Sequence, residues 1–129
     1  MKTIINLTHH QPSVEQIAAG VFTSVNNERV QCLLDFHEMP NAALLKERAR
    51  SLAELASREF DELGVPTVDR KAMVGSAPYF AAPLEAALLD AGIMPLYAYS
   101  VRDSVEEVQP DGTTIKINRF KHLGFIAAR

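Results

Sequence analysis

The chain has 129 residues, of which 47% are hydrophobic and none is tryptophan, so it can bury the core of one domain. Its formal net charge is −3, which argues against a general duplex-binding surface but not against a small nucleotide in a local positive pocket. A single cysteine excludes an internal disulfide, and no apolar stretch is long enough to predict a membrane span or a signal peptide. We therefore expect a cytoplasmic protein whose partners include neither duplex nucleic acid nor a membrane.

The first third of the chain predicts two short strands separated by a helix. Thr3–Thr8 reads as a buried strand, and Ser13–Gln16 matches a capping box, in which the serine and glutamine side chains bond each other's backbone amides. The helix that this box opens is expected to stop at Gly20. Asn26–Glu28 is then predicted to be a turn, and Val30–Phe36 a second apolar strand.

The clearest pattern in the sequence is an amphipathic helix that begins after Pro40. Its apolar residues recur at three- and four-residue spacing over about six turns. Gly64 and Pro66 are expected to end it, because glycine favours the left-handed cap and proline cannot continue a helix. The apolar positions are Leu45, Ala49, Leu52, Ala56, Phe60 and Leu63.

The second half of the chain predicts a strand, a helix and another strand. Lys71–Gly75 and Met94–Tyr99 read as short buried strands. The helix between them is expected to begin near Pro83 and to end at Gly92. A start at Pro78 would leave Pro83 inside the helix, where it removes a hydrogen bond.

A β-hairpin is predicted at the C-terminal end, because Val105–Gln109 and Thr113–Asn118 flank the turn Pro110-Asp111-Gly112. Apolar strands that alternate with helices indicate a mainly parallel sheet with helices on both faces. The expected fold is thus one Rossmann-like α/β domain over residues 1–129, with a C-terminal β-hairpin.

Polar residues follow three of the four predicted strands of the parallel sheet. In open α/β sheets, ligands bind beyond the carboxyl ends of the strands. These loops therefore predict a ligand site. The residues after the successive strands are Thr8, His9, His10 and Gln11; His37 and Glu38; Gly75 and Ser76; and Ser100, Arg102, Asp103 and Ser104.

Two of these features allow alternative readings. The Gly75-Ser76 turn can present backbone N–H groups to a phosphate, or its glycine can simply permit a sharp turn. His9 and His10 are adjacent, and neighbouring residues of an extended chain point to opposite faces, so they do not predict a shared metal ion. We expect no metal and no cofactor, and we expect one of the two histidines to face the site.

The most basic segment is the C-terminal "TTIKINRFKHLGF", with Lys116, Arg119, Lys121 and His122 beside Phe120. It reads either as a strand edge kept soluble by its charges or as a surface that contacts phosphates and stacks on bases. On the second reading, Arg102 and Lys121 would stabilise charge at phosphorus and a histidine would move a proton.

The loops "LTHHQPSVEQ", "MVGSAPYFAAPLEAALLDAG" and "MPLYAYSVRDSVEEV" together resemble small CRISPR-associated Rossmann-fold (CARF-like) proteins, including the stand-alone ring nucleases of antiviral defence. The resemblance implies a homodimer that binds a cyclic oligoadenylate across its two-fold axis. It also implies metal-independent cleavage, in which the 2′-hydroxyl of the substrate attacks the adjacent phosphate.

Carried onto this sequence, the resemblance implies roles for residues in three segments. The alternatives that the sequence leaves open are a nucleotide-binding sensor or sponge without chemistry, and a protein–protein adaptor. The implied ligand-binding residues are Thr8, Gln11, Gly75, Ser76, Ser100 and Ser104, and the implied catalytic residues are His9, His10, Arg102 and Lys121.

Overall fold

A computed structural model describes residues 1–129, except for the side chain of Asp103. The chain forms a five-stranded sheet in the order β2-β1-β3-β4-β5, in which only β4 and β5 are antiparallel to each other. The prediction of a mixed α/β domain with a mainly parallel sheet is therefore confirmed. The elements are β1 (Ile4–Thr8), α1 (Val14–Ala18), β2 (Val21–Phe22), α2 (Asn27–Leu34), α3 (Ala42–Leu63), β3 (Lys71–Gly75), α4 (Pro78–Asp90), β4 (Met94–Val108) and β5 (Thr114–Ala127).

The first strand and the capping box lie where the sequence places them. The five residues of β1 are all buried. The Ser13 hydroxyl accepts a hydrogen bond from the Gln16 amide, and the Gln16 side chain accepts one from the Ser13 amide, so both halves of the box are present. The helix that follows is short and has no buried residue.

The second predicted strand is wrong: most of Val30–Phe36 belongs to α2. Its buried residues Val30, Leu33 and Leu34 recur at helical spacing, whereas the actual second strand has only the two residues of β2. A short apolar run fits a strand and one side of a helix equally well. The pairing of β2 with β1, which decides between them, is not visible in the local sequence.

The long helix α3 follows its prediction closely. The Asn41 side chain accepts a hydrogen bond from the Leu44 amide at the helix start, and Gly64 ends the helix with a φ of +71°. The buried face includes Leu52, Ala56 and Phe60, which all belong to the predicted stripe.

The predicted start of α4 is wrong, because the helix begins at Pro78 and contains Pro83. Pro78 occupies the first turn, where a missing N–H costs nothing. Pro83 does remove one main-chain hydrogen bond, but the packing of Phe80, Leu84 and Leu88 into the core keeps the helix continuous.

The two faces of the sheet are covered differently. Side chains of α2, α3 and α4 form one buried cluster with Ile5, Leu7, Ala72 and Val74. The buried cluster on the opposite face contains no residue of a helix; it joins Ile4, Val21, Met73 and Leu96 to the partly buried Met94 and Phe125. The expectation that helices cover both faces is therefore not met in the buried core. The reason is that α1, with five residues, buries no side chain.

The fourth strand and the hairpin are one continuous ribbon rather than separate elements. β4 runs from Met94 to Val108 and pairs with β5 from Leu96 onwards, with an irregularity next to Tyr99 and Ser100. The predicted turn is confirmed: Asp111 accepts hydrogen bonds from the Thr113 hydroxyl and amide, and these bonds hold the pKa of Asp111 below its usual value.

Candidate functional site

The loops after β1 and β3 meet at the carboxyl edge of the sheet. In the parallel register Thr8 pairs with Gly75, so the two turns leave the sheet side by side. The chain passes from β1 to β2 on one side and returns to β3 on the other, which makes the β1/β3 edge a topological switch point. Switch points are where open α/β sheets bind ligands.

The buried side chain of Asn6 organises the turn after β1. Its Nδ2 donates to the His10 carbonyl at 2.9 Å, and its Oδ1 accepts from the Thr8 amide at 3.0 Å and from the Thr8 hydroxyl at 2.7 Å. The Thr8 hydroxyl is therefore occupied within the protein, and Thr8 as a residue is only 5% exposed. Thr8 shapes the turn, and a ligand would contact the residues that follow it.

The ring of His9 lies between two oxygen acceptors. One belongs to a residue of α2, and the other belongs to Asp35, the residue that caps the C-terminal end of α2. Nδ1 lies 2.5 Å from Gln31 Oε1, and Nε2 lies 3.3 Å from Asp35 Oδ1. The side chains of His9 and Asp35 are each about half exposed, at 45% and 49%. His9 is thus held in one orientation while its ring remains accessible.

The neighbours of Gln31 determine which of its side-chain atoms faces His9. Gln31 Nε2 donates to the Thr8 carbonyl at 3.0 Å and to Asn27 Oδ1 at 3.3 Å, so Oε1 must be the atom that accepts from the imidazole. His9 Nδ1 therefore carries a proton. A neutral ring can satisfy only this acceptor, whereas a protonated ring donates to Asp35 as well.

Arg48 of α3 holds the end of α2 in place. Its Nη1 donates to the carbonyls of Cys32, Leu33 and Asp35, at 3.0, 3.2 and 2.6 Å. A cation at a helix C-terminus is favourable because the last carbonyls lack partners. Arg48 consequently fixes the backbone that carries Asp35.

A pocket of about 560 Å³ follows Asp35 along the chain. His37 and Glu38, which the sequence placed after a strand, line this pocket beside Phe36 and Tyr79. Phe36 packs edge-on against Tyr79 with 5.8 Å between ring centroids. The pocket offers an aromatic wall next to the polar turn, as a base-binding site requires.

The turn after β3 leads directly into α4. Ser76 is half-buried, and its hydroxyl makes a long contact of 3.4 Å with the Ala77 carbonyl. Within the part of the chain that is described, no side chain caps α4. Pro78 has no N–H and the Phe80 amide donates to the Ala77 carbonyl at 2.9 Å, so of the first three helical residues only Tyr79 offers an amide to an anion.

Away from the β1/β3 edge, Ser100 of β4 pairs with His122 of β5. His122 Nδ1 lies 3.5 Å from Gln16 Nε2 of α1, and its ring packs on Phe125. This pair remains near the sheet, whereas Ser104 lies farther out along β4.

The structure does not bring all the predicted site residues together. Arg102 lies over the Phe120 ring at 5.5 Å, whereas Lys121 pairs with Val101 and so lies on the other face of the ribbon. His10 and Gln11 are exposed, and His10 forms its described hydrogen bonds through its backbone. Asp103, which the sequence placed in the same loop as Arg102, lies outside the described side chains.

Three residues of the site were missed in the sequence: Asn6, Gln31 and Asp35. Asn6 lies inside a predicted strand, and the other two lie in a segment that was predicted as a strand. The available signal was a polar residue amid the buried run "TIINLT", since a buried amide needs hydrogen-bond partners.

No helix in the described chain is long and apolar enough to cross a membrane. Among the described side chains, no three His, Cys, Asp or Glu residues are grouped as a metal-binding set.

One known family matches the chain, and the match extends over residues 2–126. The chain belongs to the uncharacterized protein MJ1673 family. No curated protein and no solved structure matches it. The match includes every residue of the candidate site, so the β1/β3 edge is part of the region that defines membership of the family.

Proposed function

We propose that this protein is a cytoplasmic homodimer that binds a cyclic oligoadenylate at the β1/β3 edge and opens it without a metal ion. The observation that carries the proposal is the meeting of the Thr8–Gln11 and Gly75–Ser76 turns beside the fixed, accessible ring of His9. The resemblance to CARF-like ring nucleases supplies the substrate class.

In the proposed reaction, the 2′-hydroxyl of one nucleotide attacks the neighbouring phosphorus. A bond forms between the 2′-oxygen and phosphorus, and the bond from phosphorus to the 5′-oxygen breaks. The 2′-proton passes to solvent water, from which His9 regains the proton that it gives to the 5′-oxygen. The products are a 2′,3′-cyclic phosphate and a 5′-hydroxyl. His9 in its protonated form can stabilise the phosphorane charge, and its Nε2 proton can transfer from the contact with Asp35 to the leaving 5′-oxygen. The Tyr79 amide at the start of α4 can hold the phosphate.

We further infer that this mixed α/β domain is specifically Rossmann-like. The strand order β2-β1-β3-β4 with parallel pairing supports this, since the doubly wound order 2-1-3-4-5 also has its ligand site between β1 and β3. In this protein the fifth strand is antiparallel and no helix contributes to the buried cluster on the second face, which distinguishes it from the regular form.

The test is incubation of purified protein with cyclic tetra-adenylate in EDTA, followed by chromatography and mass spectrometry. Linear products that end in a 2′,3′-cyclic phosphate are expected. His9→Ala should slow their formation by about 100-fold, the usual contribution of a general acid or base. Lys116→Ala, an exposed cation near the ribbon turn, is the matched control and should leave the rate unchanged.

Two outcomes would contradict the cleavage step. Intact ligand that co-elutes with the protein would identify a sensor or sponge at the same edge. Intact ligand that does not bind would remove cyclic tetra-adenylate as the substrate. His10→Ala and Arg102→Ala extend the assay, and wild-type behaviour of both would exclude their predicted roles.

A further inference from the structure

We propose that Ser100, Arg102 and His122, supported by Gln16, bind a phosphate group on the face of the sheet opposite His9. These four supporting and binding residues, without His9, are called the ribbon subsite below. The inference rests on the proposed function for the identity of the ligand, where the bound group is a second phosphodiester of the same cyclic oligonucleotide.

The turn after β1 lies across the carboxyl edge of the sheet, with groups on both faces. Asn6 and Thr8 alternate with β1 residues that pack under the helices, so their side chains point to the opposite face. Both side chains bond to the backbone of His10, whereas the ring of His9 contacts α2. A ligand at this edge can therefore be held from both sides of the sheet.

Ser100 and His122 extend the second face beyond the edge of the parallel sheet. The pairing of β4 with β3 ends three residues, or about 10 Å, before Ser100. Leu96 belongs to the buried cluster of the second face, so the strand period of two places Ser100 and Arg102 on that face as well. His122 pairs with Ser100, and its ring packs on Phe125 of the same cluster with 4.8 Å between centroids.

The ring of His122 is oriented by Gln16 of α1. Gln16 Oε1 accepts from the Ser13 amide at 3.0 Å, so Nε2 is the Gln16 atom that faces the histidine. His122 Nδ1, 3.5 Å from that amide nitrogen, is therefore the acceptor, and the neutral ring carries its proton on Nε2. This second N–H lies on the other side of the half-buried ring from Gln16 and can donate to a ligand.

Arg102 supplies a positive charge on the same face. Its guanidinium lies 5.5 Å over the ring of Phe120, and this cation–π contact holds it against the ribbon. The exposed hydroxyl of Ser100 is about 7 Å away along the strand, within reach of an arginine side chain. Of the described side chains on this face of β4, the acidic one is Glu106, which lies farther out and pairs with Lys116. Guanidinium, imidazole N–H and hydroxyl donors together suit the acceptor oxygens of a phosphate.

Small residues keep the surface low between the β1/β3 edge and the ribbon subsite. Gly75 lies beside Thr8, and a Cβ at Gly75 would meet only the Thr8 methyl group, at 3.6 Å. Ala98 is exposed and lies on the same face of β4 as Ser100. One ligand can therefore contact the turns after β1 and β3 and the ribbon subsite together.

The first experiment measures the binding of cyclic tetra-deoxyadenylate, which lacks the 2′-hydroxyl and so is not opened in the proposed reaction. His122→Phe keeps a ring to pack on Phe125 but loses the N–H donor. By calorimetry in EDTA it should raise the Kd about tenfold, the effect of one hydrogen bond to a charged group. Arg102→Ala should raise the Kd at least as much. Arg119→Ala removes the same type of cation from the opposite face of the ribbon and should leave the Kd unchanged.

The second experiment records the imidazole ¹⁵N resonances of the protein, with His122→Phe to assign the signals of His122. The free protein should show His122 as the Nε2–H tautomer. Sodium phosphate should shift the Nε2 signal saturably, whereas sodium chloride at the same ionic strength and pH should not. Arg102→Ala should weaken the phosphate response about tenfold.

The outcomes separate the ribbon subsite from the proposed function. A wild-type protein that does not bind the ring but whose His122 responds to phosphate would refute the proposed ligand and support the subsite. Ring binding that both variants leave unchanged would overturn the subsite alone, and a lowered melting temperature of His122→Phe would then show that His122 only fastens α1 to the ribbon. An Nδ1–H tautomer in the free protein, or no response to either ring or phosphate, would also overturn it.

Discussion

His9 Nε2 lies 3.3 Å from Asp35 Oδ1, which joins the turn after the first strand to the C-terminal end of α2. The two residues are far apart in sequence, and both remain about half exposed. An exposed contact of this kind contributes at most about 1 kcal/mol to stability even when both groups are charged. We therefore expect the contact between His9 and Asp35 to orient the imidazole rather than to stabilise the fold.

The pair predicts that Asp35→Ala separates activity from stability. Opening of cyclic tetra-adenylate is expected to fall about tenfold, because His9 loses one of its two anchors, an interaction worth about 1.4 kcal/mol. The free energy of unfolding, measured with urea, should change by less than about 1 kcal/mol. Asp61→Ala, which breaks the exposed Arg70–Asp61 pair of 2.8 Å, is the control and should leave activity intact. Equal activity of both variants would exclude a role for Asp35.

Asn6→Ala is expected to destabilise the fold by about 1–3 kcal/mol, because it leaves the buried amide and hydroxyl of Thr8, and the part-buried carbonyl of His10, without this partner. Urea unfolding measures the change. Asn118→Ala, an exposed amide on the ribbon, is the comparison and should stay within about 0.5 kcal/mol. A wild-type midpoint for Asn6→Ala would mean that the turn does not depend on this side chain.

Glu59 is a buried carboxylate of α3 that accepts hydrogen bonds from the Ser24 hydroxyl and the Val25 amide. Glu59→Ala is expected to cost about 3 kcal/mol, since the segment before α2 loses its acceptor and a core position is emptied. Glu62→Ala changes an exposed carboxylate of the same helix and should cost about 0.5 kcal/mol or less. Thermal unfolding measures both variants. Coinciding midpoints would contradict the stabilising role assigned to Glu59.

The pKa of Tyr97 is raised to about 12 by burial, by its hydrogen bond to Glu85 and by the charge of that carboxylate. The folded state therefore holds this proton more tightly than the unfolded state, whose tyrosine titrates near pH 10. The stability that this contributes is fully present below about pH 10 and is lost as pH rises towards 12.

Tyr97→Phe should remove part of the fall in melting temperature between pH 10 and 12. Spectroscopic titration of tyrosinate in wild type and variant provides the direct check, because the difference isolates Tyr97 from Tyr79 and Tyr99. A difference curve centred on pH 10 would show that the folded protein does not shift this group.

Local sequence patterns were sufficient to predict several elements of the fold. The apolar spacing of α3, its Asn41 and Gly64 ends, the Ser13–Gln16 box and the turn at Pro110–Gly112 each depend on residues a few positions apart. The polar loops after β1 and β3 were also predicted to lie at the carboxyl edge of the sheet, because parallel strands end at the same edge; that these two strands are neighbours came from the structure.

Long-range contacts decided the rest. Most of the run Val30–Phe36 became a helix because its apolar side faces the core, while the adjacent β2 took the strand position beside β1. His9 obtained its partners Gln31 and Asp35 from that same helix segment, and no local pattern indicates this.

The sequence by itself determined β1, the capped start of α1, α3, β3 and which loops are polar, because capping, turn formation and amphipathic spacing act over a few residues. Only the tertiary structure decided which strands pair, that β4 and β5 form one long ribbon, and which ring nitrogen of His9 faces which acceptor. Those outcomes depend on burial and hydrogen bonding between segments that the chain brings together only when it folds.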